Sequence, residues 1–435
     1  MMHEPSVQPS GMVRIADYLV ERLAAHGVGH VFGVPGDFVL KLFAHLEQGP
    51  LTVVNTVDEQ GAGFAADAYA RLRGLGAVCV TYGVGGLKIA NTTAQAYAEE
   101  SPVVVISGAP SLQERADKIL LHHMVEGYDT QRQVFEHLTV ATAVLDDPDT
   151  ACRDIDRAIA AALRHKRPVY LELPRDMTLA EAPRPAARPE AAPQSDPATL
   201  AAAVDDIVEV LGRATHPVAF VGVQVARFGL LGPVLDIIER ASLPTAVMPL
   251  DKSAISEQHH CFVGVYAGGM SRPEVAAFVE EADCLLMLGT LPTDVNLGGK
   301  TARLAPERSI HVMRDRVRVA HRTYEDVTLA DVIRALAAHE LPSFGHLRIP
   351  ARPDACATWQ ADAEAPVTVD RLFTRLGCFL SETMTVIADP GDATFGALDL
   401  PVRQDHEFLA NAFYASLGFA VPASIGAQLA APERR

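Results

Sequence analysis

The sequence predicts an α/β protein with parallel sheets flanked by helices. Three observations predict it. Short apolar runs alternate with segments of helical period along the chain, the trace left by strands buried on both faces and the helices that cross between them. Several of those runs end at Gly- or Pro-containing turns, as at Pro35-Gly36-Asp37, which is how a strand hands over to a loop. With 49% apolar and 21% charged residues, the 435-residue chain can bury large cores, and at about 150 residues per domain it is too long for one.

Residues 15–26 read as a helix with Leu19, Leu23 and Ala24 on one face and Gly27 as its stop. A strand over 30–34 follows. Strands over 51–56, 77–82 and 102–107 come next, separated by helices over 60–72 and 87–98, and a last strand over 168–173 completes an N-terminal block, 12–182. Five prolines between 183 and 197 predict a linker over 183–198, because such a composition neither continues a helix nor pairs in a sheet. The central block, 199–341, opens with a helix over 199–211 and the strand Pro217–Val221, and continues through strands at 243–248 and Cys284–Leu288. A second loop-like stretch, 342–366, holds the only tryptophan, Trp359. The third block, 367–435, has the helix Val369–Phe379, a strand over 385–388, the turn Asp389-Pro390-Gly391-Asp392 and a small-residue helix after Leu417. With so few strands, this block is expected to pack poorly, leaving Phe408, Leu409, Phe413, Phe419, Ile425 and Leu429 without partners.

The net charge of −17 provides no general basic surface, so neither nucleic acid nor an anionic membrane is an expected partner and a small molecule is. The cysteines, Cys79, Cys152, Cys261, Cys284, Cys356 and Cys378, are scattered without a C-x-x-C pair, which predicts reduced thiols in a cytoplasmic protein. No basic and apolar leader opens the sequence and no apolar run reaches membrane-spanning length.

Chemistry is expected where parallel strands end, since ligands of open α/β sheets bind at the carboxyl edge. Three segments fall there: Gly33-Val34-Pro35-Gly36-Asp37, Thr81-Tyr82-Gly83-Val84-Gly85-Gly86 and Ser107-Gly108-Ala109-Pro110. Taken locally, the glycines at 83, 85 and 86 read either as turn glycines or as an anion-facing loop that lacks the phosphate-loop spacing. Asp58-Glu59 reads locally as carboxylates complementing a helix dipole. Adjacent residues on a regular element diverge, so His122-His123 points to a loop offering rings to a cleft rather than to a shared metal. His259-His260-Cys261 reads as a loop, with no second ligand cluster to complete a zinc site.

Taken together and in order, these segments form a pattern. Gly33-Val34-Pro35-Gly36-Asp37-Phe38, Glu59 with 63–71, Thr81 to Gly85, Ala96-Tyr97-Ala98-Glu99 and Leu120-Leu121-His122-His123 resemble the thiamin diphosphate-dependent 2-oxo-acid decarboxylases. Within them, Ser101 to Pro110 and Asp129 to Phe135 are most similar to the indolepyruvate and phenylpyruvate branch. The resemblance implies the three-block architecture of thiamin enzymes: a pyrimidine-binding N-terminal domain, a central domain without a site, and the start of a diphosphate-binding domain. It implies decarboxylation of an aromatic 2-oxo acid to the aldehyde by a homodimer or homotetramer with intersubunit active sites. Two other readings stand beside it, a non-catalytic binding or assembly subunit and another thiamin enzyme such as acetolactate synthase.

Residue by residue, the resemblance places Glu59 on N1′ of the aminopyrimidine, and makes Asp37, His122 and His123 the acids and bases of the proton transfers. Thr81, Gly83 and Gly85 would lie against the pyrimidine, Gly391 and Asp392 face the diphosphate, and Leu417 wedges the cofactor into its bent form. The Gly-Asp-Gly and Asn-Asn segments that hold Mg²⁺ in the family do not occur in the sequence. The Mg²⁺ ligands are therefore expected beyond residue 435, with no metal ligand within the chain, and these 435 residues alone are expected to lack turnover.

Overall fold

The computed structural model describes residues 11–186, 193–352, 354–403 and 408–435. They form two compact units, 11–186 with Gly418–Glu433, and 193–417 with 434–435.

The first unit is built on a six-stranded parallel sheet. Its order is Thr52–Asn55, His30–Gly33, Gly76–Val80, Val103–Ala109, Val169–Pro174 and Thr142–Val144. Both faces are covered, as the continuous apolar runs require: Val78, Val80, Val103 and Val105 face one core, Cys79, Val104, Ile106 and Leu171 another. One covering helix, Glu59–Arg73, is buried from Ala62 to Arg71 and rich in Gly and Ala. Asp58 caps its start, and Gly74, at φ 89°, ends it in the left-handed conformation.

Small residues on that helix let a second helix, Ala420–Ala430, lie close against it. A β-carbon on Gly426 would fall 1.9 Å from the Ala65 carbonyl oxygen, so only glycine allows the approach. Phe419 is fully buried there, 5.7 Å edge-on to Phe64 and 5.2 Å beneath the Arg71 guanidinium. Arg71 is itself held by both Asp67 oxygens at 2.9 Å, and Gln95 donates to Asp67 at 2.8 Å.

This packing corrects the expectation of an unpartnered C-terminal segment. Phe408, Leu409 and Phe419 are buried and Leu429 packs against the first unit's core, while Phe413 and Ile425 remain exposed. Segment 418–433 joins the first unit because its apolar face meets a helix there.

The second unit holds a seven-stranded sheet in the order Phe262–Val265, Thr245–Val247, Pro217–Val221, Cys284–Leu288, Ser309–Val312, Arg316–Val319 and Arg322–Glu325. The first five are parallel, and the last two fold back antiparallel. A separate parallel pair joins Val386–Ala388 to Phe408–Ala410.

Three further details depart from the sequence reading. Cys356 and Cys378 form a disulfide, their Cα atoms 5.4 Å apart, whereas the other four cysteines are free and buried. In the proline-rich stretch, Pro183 does pair, ending a strand Glu181–Pro183 antiparallel to Met12–Arg14, and Pro197 opens a helix in its first turn. Residues 187–192 of that predicted linker lie outside the described residues. The helix expected over 87–98 is broken at Ile89 into Val84–Lys88 and Ala90–Ala98. No helix among the described residues is long and apolar enough to cross a membrane.

Candidate active site

The residues singled out in the first unit collect at the carboxyl ends of its strands, where the sheet hands over to loops. Asp37 follows the strand His30–Gly33, Glu59 follows Thr52–Asn55, and the turn 81–86 follows Gly76–Val80.

At the start of the helix Glu59–Arg73, the two adjacent carboxylates divide the work. Asp58 is the cap, its Oδ1 accepting the Gly61 N–H at 2.8 Å. That bond first, and then Lys88 at 3.2 Å against the opposing effect of burial, hold the Asp58 carboxyl below its usual range. Helix-dipole complementation thus falls to Asp58. Glu59, 15% exposed, shares that lysine, with Oε2 3.3 Å from Lys88 Nζ. Its other oxygen faces Gly85, where a β-carbon would stand 3.4 Å away.

The histidine doublet converges rather than diverges. His122 Nε2 is 2.7 Å from Asp37 Oδ2, and His123 Nε2 is 3.9 Å from Asp37 Oδ1. His123 sits at φ 68°, outside any regular element, so the rule that neighbours point apart does not apply. The two rings meet edge-on at 4.5 Å, and Phe38 lies 5.0 Å from His122. Phe38 is in turn covered by the Arg175 guanidinium at 5.1 Å. The ligating atoms of Asp37, His122 and His123 lie within 4.8 Å of one another, as do those of His259, His260 and Cys261. In the latter group His259 Nδ1 already accepts the Cys261 N–H at 3.2 Å, and the two rings are stacked.

Between Glu59 and His123 runs the turn 83–86, and its glycines answer to protein neighbours. Gly83 has φ 68° and a β-carbon there would fall 2.2 Å from the His123 carbonyl oxygen. On Gly86 it would collide with the Gln131 side chain, also at 2.2 Å. Close approach to a pyrimidine, the reason offered by the resemblance, is therefore not needed to explain these two positions. Thr81 is buried and its Oγ1 has no hydrogen-bond partner, the mark of a polar atom reserved for something else. The Gly36 backbone packs directly against it.

Gly391, Asp392 and Leu417 belong to the second unit. Gly391 takes φ 88° in an exposed turn, Asp392 begins the helix Asp392–Ala397, and Leu417 is 72% exposed. Two residues that the sequence reading left without a role stand out. Lys88 pairs with Asp58 and Glu59, and Gln131 accepts the Gly83 N–H at the 83–86 turn while donating to Ser107 and Tyr170 on the sheet. Gln131 lay within the Asp129 to Phe135 motif, but nothing local marks a glutamine as buried.

A carboxylate beside a glycine turn, a buried hydroxyl without a hydrogen-bond partner and an imidazole pair beside one aspartate are groups able to bind a small molecule and move protons on it. Comparison with known proteins gives the family. The family model for the N-terminal TPP-binding domain of thiamine pyrophosphate enzymes matches residues 13–134, and the model for their central domain matches 204–339. Indole-3-pyruvate decarboxylase of Azospirillum brasilense is 37% identical over 428 residues, 97% of this chain and 77% of that protein. Pyruvate decarboxylase 4 of Arabidopsis thaliana is 34% identical over 96% of this chain and 71% of its own. Alpha-keto-acid decarboxylase of Mycobacterium avium (strain 104) is 33% identical over 97% and 75%. The chain belongs to the thiamin diphosphate-dependent 2-oxo-acid decarboxylases.

Proposed function

We propose that the protein decarboxylates an aromatic 2-oxo acid, of the indolepyruvate or phenylpyruvate type, to the corresponding aldehyde. The observation that carries the site's role is the 83–86 turn, with Glu59 on one side and His123 on the other. The aromatic preference is supported by the 37% identity to an indole-3-pyruvate decarboxylase.

The residues present fit the aminopyrimidine of thiamin diphosphate. Glu59 would hold the proton on ring N1′, Thr81 Oγ1 would find there the partner it lacks in the protein, and Gly85 leaves Glu59 uncovered. When bound, the cofactor supplies a carbanion and an electron sink for the carboxylate's electrons. The chain's own residues then govern protons and orientation. Asp37 accepts a hydrogen bond from, or shares a proton with, His122 Nε2, which sets that ring's orientation. The His123 backbone packs against Gly83, and its ring Nε2 lies 3.9 Å from Asp37 Oδ1. Together they would form a relay that can deliver a proton to the reacting carbon and take one from the oxygen that becomes the aldehyde's carbonyl.

In this reading Gly391 and Asp392 would face the diphosphate, Leu417 would wedge the cofactor, Mg²⁺ would be the second cofactor and offset the diphosphate's charge, and the protein would work as a cytoplasmic homodimer or homotetramer. These parts rest on the family resemblance. The test is steady-state kinetics on the protein expressed from its complete reading frame, with thiamin diphosphate and Mg²⁺. Indolepyruvate or phenylpyruvate should give a kcat/KM at least about tenfold above that of pyruvate, the scale of a modest pocket preference. A preference for pyruvate would overturn the aromatic assignment.

A further inference from the structure

We propose that Gln131 is a positioning residue that sets the 83–86 turn, and through it His123 and Glu59. This rests on the reading of the site given above.

Gln131 comes from the helix Thr130–Glu136 and is 2% exposed. Its Oε1 accepts the Gly83 N–H at 2.7 Å, and its amide nitrogen donates to Ser107 Oγ at 2.7 Å and to the Tyr170 hydroxyl at 2.8 Å. The direction of these bonds follows from where the neighbouring protons go. The Ser107 hydroxyl donates to the Gly108 carbonyl at 2.9 Å, and the Tyr170 hydroxyl donates to Glu172 Oε2 at 2.8 Å. Each of those oxygens therefore meets Gln131 with a lone pair, which only the NH₂ end can satisfy. The carboxamide has one orientation, with its oxygen toward Gly83.

That orientation is anchored in the sheet. Ser107 and Tyr170 stand on the paired strands Val103–Ala109 and Val169–Pro174, and Glu172 is held in turn by Arg115 at 2.6 Å. Burial first, and then the Glu172 carboxylate, push the Tyr170 phenol well above its usual range, so it remains a donor. The chain of bonds runs from Arg115 through Glu172, Tyr170 and Gln131 to the Gly83 N–H.

At its far end the turn has no slack. Gly83 holds φ 68° against the His123 carbonyl, Gly85 faces Glu59, and Gly86 rests on the Gln131 carboxamide itself. A shift of the turn would thus be felt at both proton-handling groups. None of this requires Gln131 to touch a ligand.

The experiment uses Gln131→Leu in the protein expressed from its complete reading frame, with Ser107→Ala as a second variant that keeps the Gly83 bond but loosens the carboxamide. The first readout needs no cofactor: NMR chemical shifts of the histidine ring protons. Those of His123 should move in Gln131→Leu, and to a lesser degree in Ser107→Ala, while those of His259 stay unchanged. The second is kinetic: kcat should fall by about 10²-fold, the cost of roughly 1 Å of misplacement, with KM changed by less than about threefold. Circular dichroism reports whether each variant keeps its fold. If Gln131→Leu does not fold, Ser107→Ala decides by the same readouts. An unmoved His123 in a folded variant would overturn the positioning role. A wild-type protein that binds no thiamin diphosphate in calorimetry would overturn the reading of the site, and the histidine chemical shifts would still decide what Gln131 does.

Discussion

Gly83 and His123 touch through their backbones so closely that no side chain can come between them: a β-carbon on Gly83 would stand 2.2 Å from the His123 carbonyl oxygen. Gly83→Ala is therefore predicted to displace the histidine turn. The backbone at Gly83, φ 68° and ψ −93°, is sparsely populated by residues with a side chain and alone costs an alanine about 1–3 kcal/mol, and the clash adds to it. Decarboxylation should fall by about 10²-fold or more, with a lowered but cooperative thermal transition. Wild-type kinetics in Gly83→Ala would mean that the His123 backbone is not held by this contact.

The two histidine doublets are predicted to behave differently. His122→Ala removes the ring paired with Asp37 and His123→Ala the ring beside it, so each should lower turnover by about 10²–10⁴-fold, the range for an acid-base group. His259→Ala loses a contact to Glu239 and one backbone bond, and its turnover should stay near wild type. Equal losses in all three would remove the proton relay from the account.

Arg71 is buried among Asp67, Glu99 and the ring of Phe419. Arg71→Met leaves the Asp67 carboxylate buried without its ion partner, and should cost about 3–5 kcal/mol by chemical denaturation. Burial raises the Asp67 carboxyl, but Arg71, Gln95 and Ser101 outweigh it and hold the group below its ordinary 3.8. A depressed carboxyl contributes stability that is present above 3.8 and is lost as pH falls through the lower folded value. The wild type should therefore lose stability on acidification below about pH 4 more steeply than Arg71→Met.

Asp251 has the opposite sign. It is fully buried in the second unit, where Oδ1 accepts the Val223 N–H at 2.7 Å and Oδ2 has no partner, and burial pushes its carboxyl up to about 8. The folded protein then keeps a proton that the unfolded chain releases above 3.8, so stability falls as pH rises from 3.8 toward 8. Asp251→Asn cannot ionise and should flatten that part of the Tm-against-pH curve. An unchanged slope would show that Asp251 is ionised in the folded state.

What the sequence revealed and what it hid follow from the range of the interactions. The strands at His30–Gly33, Gly76–Val80, Val103–Ala109 and Val169–Pro174 announce themselves because each is an apolar run ending at a turn residue. Glu59 stood out only as part of an ordered series, since next to Asp58 it looks like one more helix-start carboxylate. The disulfide joins residues 22 apart with no spacing signal. Burial of Ala420–Ala430 depends on a helix more than 300 residues earlier, and Gln131 becomes informative only once Ser107 and Tyr170 surround it. Convergence of the histidine rings needed the positive φ at His123, which non-glycine sequence does not advertise.

The central claim is that Glu59 holds the cofactor ring that drives decarboxylation, and Glu59→Gln tests it most directly. Glutamine keeps the shape beside Gly85 and Lys88 but cannot hold a proton on N1′ as a carboxylate does. Thiamin diphosphate-dependent aldehyde formation should be measured for both proteins, expressed from the complete reading frame, with thermal denaturation as the check on folding. The account predicts a folded Glu59→Gln protein whose kcat is lower by about 10²-fold or more. A kcat within about twofold of wild type, far inside the loss expected for such a group, would contradict it.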